Sequence, residues 1–546
     1  MKLFRNSQFL LLGILLLGTL LRLYGLGGIP AGLHRDEAFL GYNAYSILKT
    51  GRDMNGDFLP LHLRSFINSP AGYSYATILP IATFGLNAFS VRLPAALFGI
   101  ATIYLTYLLA KELSKSERVA LVSSALLAIS PWHINLSRTS TENVLVVFFI
   151  TLGCYLYARW LTERNVLRLV GAFASFGLTM LLYQAPRAFL PLYIPLLVLL
   201  TLPKAKQHIQ LILFLACLFI YIPLLLILTS PTLSLRLHTV GIPASGNVQL
   251  MIEESIREDG VNKIPPVISR ALHNKPIGFA GQFLENYFSH WSYSFLFTDK
   301  GLPDRYRVPS TPLVYFIELP LLLIGLILLV TKKSWQSKLL LGWILIAPIG
   351  SSLAFDDVPN LQRTLVIFPA LSIIAAIGAA RLTPLIRTVI ATVYVASIVV
   401  YLHAYYVHLP SHRPWFRHEG YEELVSEIQK RKLDYPSIVI TNRETAPTIF
   451  FLFYSAYDPA RFQQQTVSIA GDDRDRTSFN KYVFTTEECP LREVIDESGI
   501  KTLTGSKDTL YVNFGTCEIP ADTQELATIR RGDGSAVFRV MSVASE

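Results

Sequence analysis

The sequence predicts a polytopic α-helical membrane protein with a small α/β domain after its last membrane span. Three observations lead to this fold class. Of the 546 residues, 51% are hydrophobic and only 16% are charged, which is too apolar for a soluble enzyme of this length. Apolar runs separated by short loops recur as far as residue 405, and after residue 410 the composition becomes that of a soluble domain.

The net charge of +9 would suggest a nucleic-acid partner in a soluble protein. Here the Lys and Arg residues gather in short loops between apolar runs, where they act as topology signals, so we expect no nucleic-acid partner. The four cysteines contain no CxxC metal pair. Cys489 and Cys517 could form a disulfide if their segment faces an oxidising compartment.

The first apolar run, Phe9 to Leu26, follows Lys2 and Arg5 and lacks a clear small-x-small cleavage site. We interpret it as an uncleaved first span with a cytoplasmic N-terminus. Residues 28–91 then emerge as the first exoplasmic loop. Within them, 71–86 is short for a span and is broken by Pro80, so we expect it to lie in the membrane or re-enter without crossing.

Ten further spans follow, which brings the predicted number to about eleven. They lie at residues 93–110, 119–132, 143–160, 167–183, 188–202, 209–229, 312–331, 338–355, 364–380 and 386–404. An odd number of crossings from a cytoplasmic start places the C-terminal domain, residues 406–546, on the exoplasmic side with the first loop. A long loop, residues 230–311, faces the same side.

The C-terminal domain shows both helical and strand patterns. An amphipathic helix is predicted over Glu422 to Lys432, and strands over Ser437–Thr441, Lys481–Thr485 and Thr509–Phe514. The domain has no Gly-rich phosphate loop, no GxSxG elbow and no HExxH motif. It is therefore predicted to be a small α/β domain without a recognisable catalytic motif of its own.

The stretch from His34 to Ala38 places two adjacent carboxylates, Asp36 and Glu37, directly before a helical pattern over Phe39 to Thr50. Gly51 stands where a helix C-cap belongs. Two readings stay open from spacing alone. Asp36 caps the helix and offsets its dipole, or it performs chemistry at the membrane surface.

Further polar residues cluster in the loops that are predicted to be exoplasmic. Arg138 and Glu142 lie in one loop, Tyr183 and Arg187 in another, and Arg363 follows a third. The long loop adds His290. Because these loops share one face of the membrane, the functional side of the protein is predicted to face outward.

With these residues in this order along the sequence, the chain resembles the GT-C glycosyltransferases. These are membrane enzymes that take a sugar from a polyprenyl-phosphate carrier. It is most similar to bacterial relatives of the family 39 protein O-mannosyltransferases and of the lipid A aminoarabinose transferases. The resemblance covers about residues 8–405. It is carried by Asp36-Glu37, Arg92-Leu93-Pro94, Arg138 with Glu142, Tyr183 with Arg187, Phe295-Leu296-Phe297, and Arg363 with Pro369.

The resemblance implies a GT-C transmembrane domain over residues 1–405 in a bacterial plasma membrane. It also implies a hexosyl or pentosyl transfer that inverts the anomeric centre, with Asp36 as the general base and a protein, lipid or glycan hydroxyl as acceptor. We expect no cofactor, since the donor is a polyprenyl-phosphate sugar, and no metal, because no DxD motif follows the second or third span.

The remaining site residues take their expected roles from the same resemblance. Arg138, Arg187 and Arg363 would hold the departing phosphate, although interfacial arginines also serve as plain positive flanks. Glu37 would orient Asp36 or the acceptor, or only offset the helix dipole. The other substrate-binding candidates are Glu142, Tyr183 and His290. Glu142 occupies a position where relatives often have Asp. For His290, the alternative is an exposed or capping role.

Two other classes of function remain possible from the sequence. The first is a transporter or a flippase for lipid-linked sugars, although repeats, broken paired spans and buried charges are absent from the pattern. The second is a non-catalytic scaffold whose outer domain binds wall polymer or a partner protein. Both would leave Asp36 dispensable, which distinguishes them from the enzyme.

Overall fold

The structure is a computed structural model that describes residues 2–65, 68–230, 234, 238–260, 263–300, 302–465, 478–495 and 501–544. Parts of the predicted long loop, including 231–233 and 235–237, lie outside the described residues. The chain divides into two compact units. The first unit comprises Met1–Leu23, Ala95–Ser137 and Thr141–Tyr401, and the second comprises Tyr24–Pro94, Arg138–Ser140 and Leu402–Glu546.

The first unit is helical throughout its described part. Its helices are Lys2–Leu23, most of Ala88–Ser114, Glu117–Ile129, Pro131–Ser137, Glu142–Glu163, Val166–Leu182, Pro186–Ala205, Ile209–Ala216, Ile222–Thr229, Asn247–Asp259, Pro266–Leu272, Lys275–Ser289, Tyr293–Phe297, Glu318–Thr331, Trp335–Ile346, Ile349–Ser352, Leu361–Thr364, Ala370–Ala379 and most of Pro384–His403.

Within the part of the chain that the structure describes, four helical stretches are long and apolar enough to cross a membrane, or six if each of two bent helix pairs counts as one span. The four are Ala88–Ser114, Glu142–Glu163, Pro186–Thr229 and Pro384–His408. The bent pairs are Glu117–Ile129 with Pro131–Ser137 and Leu361–Ile367 with Ala370–Ala379. The chain is therefore an integral membrane protein with several spans, and the number eleven stays a prediction.

The longest of these stretches, Pro186–Thr229, folds back on itself. The Tyr221 hydroxyl donates a hydrogen bond to the Pro191 carbonyl at 3.4 Å, a contact that a straight helix of this length excludes. The reversal occurs at the short 3-10 segment Lys206–His208. It agrees with two separate spans joined by the predicted Lys-containing loop. The Gly72–Phe84 helix has only 13 residues and contains Pro80, which agrees with a segment that does not cross.

Close helix packing in the first unit depends on small residues. Glu318–Thr331 packs against Ala370–Ala379. A Cβ at Gly325 would come within 2.1 Å of the Ile374 carbonyl oxygen, and one at Gly378 within 2.0 Å of the Leu321 carbonyl oxygen. Small residues allow such backbone contact between membrane helices, and a side chain at either position would separate them.

One arginine of the first span is buried and paired within the first unit. Arg22 is 0% exposed and donates to the carbonyls of Gly18 and Ala128 at 3.1 and 3.0 Å. Its Nη2 lies 2.9 Å from Nδ1 of His133. Arg22 lies in the last turn of the Lys2–Leu23 helix, and these hydrogen bonds offset the free-energy cost of burying its charge.

The second unit joins the first loop to the C-terminal segment. Its helices are Arg35–Thr50, Gly72–Phe84, the start of Ala88–Ser114, Tyr421–Arg431, Thr448–Tyr454 and Pro459–Gln464. Its strands are β1 (His62–Arg64), β2 (Asn68–Pro70), β3 (Ser437–Thr441), β4 (Ser478–Phe479), β5 (Tyr482–Thr485), β6 (Glu493–Ile495), β7 (Lys501–Leu503), β8 (Thr509–Phe514), β9 (Thr523–Arg530) and β10 (Ala536–Val543).

Six of these strands form one mixed sheet in the order β4-β5-β3-β8-β10-β9. Strand β3 runs parallel to β5 and β8, while the other pairs are antiparallel. The predicted strands at 437–441, 481–485 and 509–514 are therefore confirmed as β3, β5 and β8, and the predicted helix is confirmed as Tyr421–Arg431. Cys489 and Cys517 form a disulfide. The small C-terminal α/β fold is as the sequence predicts.

Candidate functional site

The carboxylate pair lies at the start of the Arg35–Thr50 helix. The cap residue is His34, whose Nδ1 accepts a hydrogen bond from the Asp36 amide at 3.2 Å. Of the two readings of Asp36, the structure excludes the helix cap, because the helix begins at Arg35 and His34 takes the cap position. Asp36 lies in the first turn, where its charge offsets the helix dipole. Gly51 is confirmed as the C-cap, with φ of 70° and its amide bonded to the Ile47 carbonyl.

Asp36 itself is open to solvent in part and has basic neighbours. Its side chain is 30% exposed, with Oδ2 at 3.5 Å from His34 Nδ1 and Oδ1 at 3.9 Å from Arg35 Nε. Since it belongs to the first helical turn, its position is fixed by the backbone and not by a flexible loop. A carboxylate held in this way can accept a proton from a bound hydroxyl.

Unlike the partly exposed Asp36, Glu37 is buried, with an exposure of 6%. Its two oxygens accept hydrogen bonds from Nε and Nη2 of Arg92 at 3.0 and 3.1 Å. The Ser140 amide and the His34 amide add further bonds at 3.0 and 3.2 Å. Burial alone would raise the pKa of Glu37, but the charge and hydrogen bonds of Arg92, with those two amides, hold it below its usual value. Glu37 therefore fixes the turn that carries Asp36.

Arg92 was missed as a site residue by reasoning from the sequence. It is fully buried, and besides Glu37 it donates to the carbonyls of Leu26, Pro30 and Gly32 at 3.2, 3.0 and 2.6 Å. The Arg92 guanidinium thus forms hydrogen bonds both to the loop before the Arg35–Thr50 helix and to Glu37 in that helix. The available signal was a single arginine at the start of an apolar run, because a charge in such a place needs a buried partner.

Arg138 also belongs to the second unit and is fully buried. Its guanidinium lies over the rings of Tyr405 and Tyr406, at 5.3 and 5.4 Å from their centroids. It donates to the Tyr405 hydroxyl at 3.2 Å and to the Ile29 carbonyl at 3.0 Å. The aromatic rings and these bonds hold its charge in this structure, and a role in phosphate binding stays a prediction.

Three other predicted residues line one cavity within the first unit. The cavity has a volume of about 420 Å³ and is walled mainly by apolar residues of the helices Pro186–Ala205 and Ile222–Thr229. Tyr183, Arg187 and Arg363 contribute polar groups to it, together with Gln184 and Ser234. An apolar cleft with a few placed polar groups is typical of a site for an amphiphilic small molecule.

Both arginines of the cavity are held by partners within the first unit. Arg363 donates from Nη1 to the Asp356 carbonyl and from Nη2 to Asp356 Oδ1, each at 2.8 Å, and Tyr183 contacts the same guanidinium. Arg187 donates from Nε and Nη2 to the Met180 carbonyl at 3.3 and 3.1 Å. These contacts fix two positive groups in an otherwise apolar wall.

His290 is buried in the first unit and both its nitrogens are engaged. Nδ1 lies 2.7 Å from the Asn286 carbonyl, while Nε2 lies 2.8 Å from the Ser351 hydroxyl and accepts from the Asn360 amide at 3.3 Å. Burial, with a smaller contribution from the Arg363 charge, lowers the pKa of His290 to about 4. Asn360 in turn caps the Leu361–Thr364 helix, so the neutral His290 supports the segment that carries Arg363.

Glu142 begins the Glu142–Glu163 helix and is buried, with an exposure of 8%. The residues between Pro131–Ser137 and this helix are not helical, so Arg138 and Glu142 do not share a helix face. The structure thus groups Tyr183, Arg187 and Arg363 around one cavity and places Asp36, Glu37 and Arg138 in the second unit.

Asp53 follows the Arg35–Thr50 helix and gives the second unit a pH-dependent stability. It is fully buried, and its Oδ1 accepts from the amides of Asn55 and Asp57 at 2.8 and 3.0 Å. Burial raises its pKa from 3.8 to about 6, against the hydrogen bond from the Asp57 amide, which lowers it. Because the folded state binds the proton more tightly, stability falls as pH rises between the unfolded and folded pKa values.

We therefore expect the thermal midpoint of the purified protein to fall between pH 4 and pH 6.5, and to fall less in Asp53→Asn. The measurement is thermal unfolding in detergent across that range. The exposed Asp508 provides the matched control, since Asp508→Asn should keep the native pH dependence. An identical slope in Asp53→Asn and the native protein would contradict this assignment.

Comparisons with known proteins show similarity in part of the sequence and in the fold. Residues 68–232 match the sequence family described as dolichyl-phosphate-mannose-protein mannosyltransferase. An uncharacterised protein of Aquifex aeolicus is 31% identical over 134 residues, 24% of this chain and 26% of that protein. The Bacillus subtilis protein named "Putative mannosyltransferase YkcB" is 32% identical over 108 residues, 20% of this chain and 15% of that protein. The chain thus aligns with about a quarter or less of the length of these relatives.

The structural comparison covers the whole chain. The crystal structure of ArnT from Cupriavidus metallidurans in the apo state superposes with a TM-score of 0.52 and 13% sequence identity, and the match covers 98% of each chain. At this identity the likeness establishes the fold alone. The chain is therefore an integral membrane protein with the GT-C glycosyltransferase fold, and part of its sequence is similar to the mannosyltransferase family.

Proposed function

We propose that the protein is a membrane glycosyltransferase that moves a sugar from a polyprenyl-phosphate carrier to an exoplasmic hydroxyl with inversion at the anomeric carbon. Mannose is the first sugar to test, because the matched sequence family is described by a mannose donor. The proposal includes no cofactor, since the donor is a polyprenyl-phosphate sugar, and no metal, because no DxD motif follows the second or third predicted span. The acceptor hydroxyl belongs to a protein, a lipid or a glycan.

The cavity of the first unit is the observation that carries this proposal. A polyprenyl-phosphate joins a long apolar chain to an anionic head, and the cavity joins an apolar wall to two guanidinium groups and a tyrosine hydroxyl. Arginine binds phosphate through paired donors in a fixed plane. The chemistry of the cavity wall therefore fits a lipid phosphate better than it fits a soluble ion or a neutral lipid.

In the proposed reaction step, every bond that forms is matched by a bond that breaks. Asp36 takes the proton of the acceptor hydroxyl while that oxygen forms a bond to the anomeric carbon of the sugar. The bond between the anomeric carbon and the carrier phosphate breaks, and its electron pair leaves with the phosphate oxygen. The negative charge on the departing phosphate is of the kind that guanidinium groups stabilise.

We further propose that the site faces the exoplasm of a bacterial plasma membrane. The positive residues of the predicted inner loops support a cytoplasmic N-terminus. The Cys489–Cys517 disulfide supports an oxidising side for the C-terminal segment. On this orientation both the first loop and the C-terminal segment meet acceptors outside the cell.

The test of this function is transfer of radiolabelled mannose from a C55 polyprenyl-phosphate mannose by the purified full chain in detergent or vesicles. Three acceptors are offered separately: a Ser/Thr peptide, a short oligosaccharide and a lipid-linked glycan. Incorporation into one of them with inverted stereochemistry would support the proposal. Movement of the labelled lipid across sealed vesicles without any transfer would favour a flippase and overturn it.

Arg363→Gln is expected to raise the KM for the polyprenyl-phosphate donor at least tenfold, because a hydrogen bond to a charged group contributes about 1.5–3 kcal/mol. Direct binding of tritiated polyprenyl phosphate should weaken by a similar factor. The exposed Arg381 is predicted to lie on the opposite side, so Arg381→Gln should bind the lipid like the native protein. Equal binding by both variants would exclude Arg363 from the phosphate site.

A further inference from the structure

His418 of the C-terminal segment lies beside the turn that carries Asp36, within the second unit. Its imidazole ring packs against the ring of His34 at a centroid distance of 5.1 Å and against Phe450 at 5.6 Å. His34 in turn approaches Asp36 at 3.5 Å. The C-terminal segment thus contributes an imidazole one side chain away from the proposed base.

Both nitrogens of His418 are buried, and among the described residues neither has a hydrogen-bond partner. A buried polar group without a partner destabilises a fold, and native structures usually avoid it. Next to the proposed base, a bound ligand would complete the missing hydrogen bonds of the two His418 nitrogens.

The backbone at His418 is uncommon as well. With φ of 54° and ψ of 41° it adopts the left-handed conformation, which residues other than glycine rarely adopt, asparagine, aspartate and histidine being the most frequent exceptions. Strain of this kind persists where the surrounding structure enforces it, often at functional sites. The position therefore holds an imidazole in spite of both its conformation and its unpaired nitrogens.

Burial and the positive groups of His34 and Arg35 hold the pKa of His418 well below its usual value. The ring is therefore neutral near pH 7 and presents one donor and one acceptor. These two nitrogens point in different directions, so one hydroxyl cannot satisfy both. A serine or threonine side chain offers a single hydroxyl, whereas a sugar offers several.

We propose that His418 binds the acceptor beside Asp36 and that this acceptor is a glycan. One sugar hydroxyl lies against Asp36 for attack, while neighbouring hydroxyls complete the hydrogen bonds of the imidazole. This inference rests on the proposed transferase function and adds to it the acceptor class and a binding residue. No local pattern signals this contact, because His418 lies 382 positions after Asp36.

The experiment compares the native chain with His418→Gly, His418→Gln and the control His238→Ala, which removes an exposed histidine. For each we measure the thermal midpoint, the binding of tritiated polyprenyl phosphate and the KM of the oligosaccharide and peptide acceptors. His418→Gly should raise the KM of the oligosaccharide at least tenfold and leave donor binding unchanged. Its thermal midpoint should stay close to native, because relief of the left-handed strain offsets the lost ring packing.

His418→Gln keeps one donor and one acceptor and should recover part of the oligosaccharide affinity, while His238→Ala should match the native protein in every measurement. An unchanged oligosaccharide KM in His418→Gly would overturn the inference, as would a loss of activity that only follows a fall in thermal midpoint. Native transfer to the peptide but not to the oligosaccharide would overturn it and leave the transferase function intact. Absence of any native transfer would overturn that function and this inference together.

Discussion

Replacement of Asp36 by Asn is expected to lower the rate of sugar transfer at least a hundredfold, since a positioned general base contributes about 10²–10⁴-fold. The amide keeps the size of the side chain but cannot accept the proton of the acceptor hydroxyl. Helix capping should survive, because His34 and not Asp36 provides the cap. The measurement is the rate of mannose transfer at saturating donor and acceptor.

The control for this experiment is Asp434→Asn, which changes an exposed carboxylate of the same unit and should leave the rate unchanged. Binding of polyprenyl phosphate should be native in both variants, since the proposed phosphate site belongs to the first unit. A rate in Asp36→Asn within a factor of two of native would remove Asp36 from the mechanism. A loss of lipid binding in parallel with the rate would point to misfolding instead.

Arg92→Met is expected to destabilise the protein by about 3–5 kcal/mol, because it leaves Glu37 as a buried charge without its partner. It also removes the donors to the carbonyls of Leu26, Pro30 and Gly32. The loss is measured as a change in the free energy of unfolding in detergent. Transfer should fall as well, since the turn that positions Asp36 loses its main support.

The double variant Glu37→Met with Arg92→Met should recover part of this stability, because no single charge then remains buried. Recovery should be incomplete, since the three carbonyls stay without the guanidinium. Lys49→Gln changes an exposed charge on the same helix and is expected to have an effect below about 0.5 kcal/mol. A loss in Arg92→Met as small as that of Lys49→Gln would show that the buried pair does not hold the turn.

Local patterns in the sequence were enough to predict some of the elements of this fold. The predicted strands around Ser437–Thr441 and Thr509–Phe514 and the predicted helix near Tyr421–Arg431 are confirmed, because their apolar periodicity reflects burial of one face. The hairpin of β9 and β10 was not predicted. Its strands mix polar and apolar positions, since several of their residues stay partly exposed.

The candidate site was predicted in part. Asp36 and the cavity residues Tyr183, Arg187 and Arg363 were visible as polar side chains in loops between apolar runs. The helix start was placed too late, because the residues of its first turn are charged and carry no apolar signal. Their side chains instead serve the His34 cap and the Arg92 ion pair.

The sequence by itself determined that this chain spans a membrane, where its polar loops lie and that it ends in an α/β domain, because hydropathy and periodicity are local properties. Only the tertiary structure decided that Arg92 neutralises Glu37, that Tyr405 and Tyr406 hold Arg138, and that His418 lies beside the turn that carries Asp36. Each of these contacts joins residues more than 50 positions apart. These residues meet because folding buries their charges and aromatic rings together. A local sequence pattern does not indicate which distant residues will become partners.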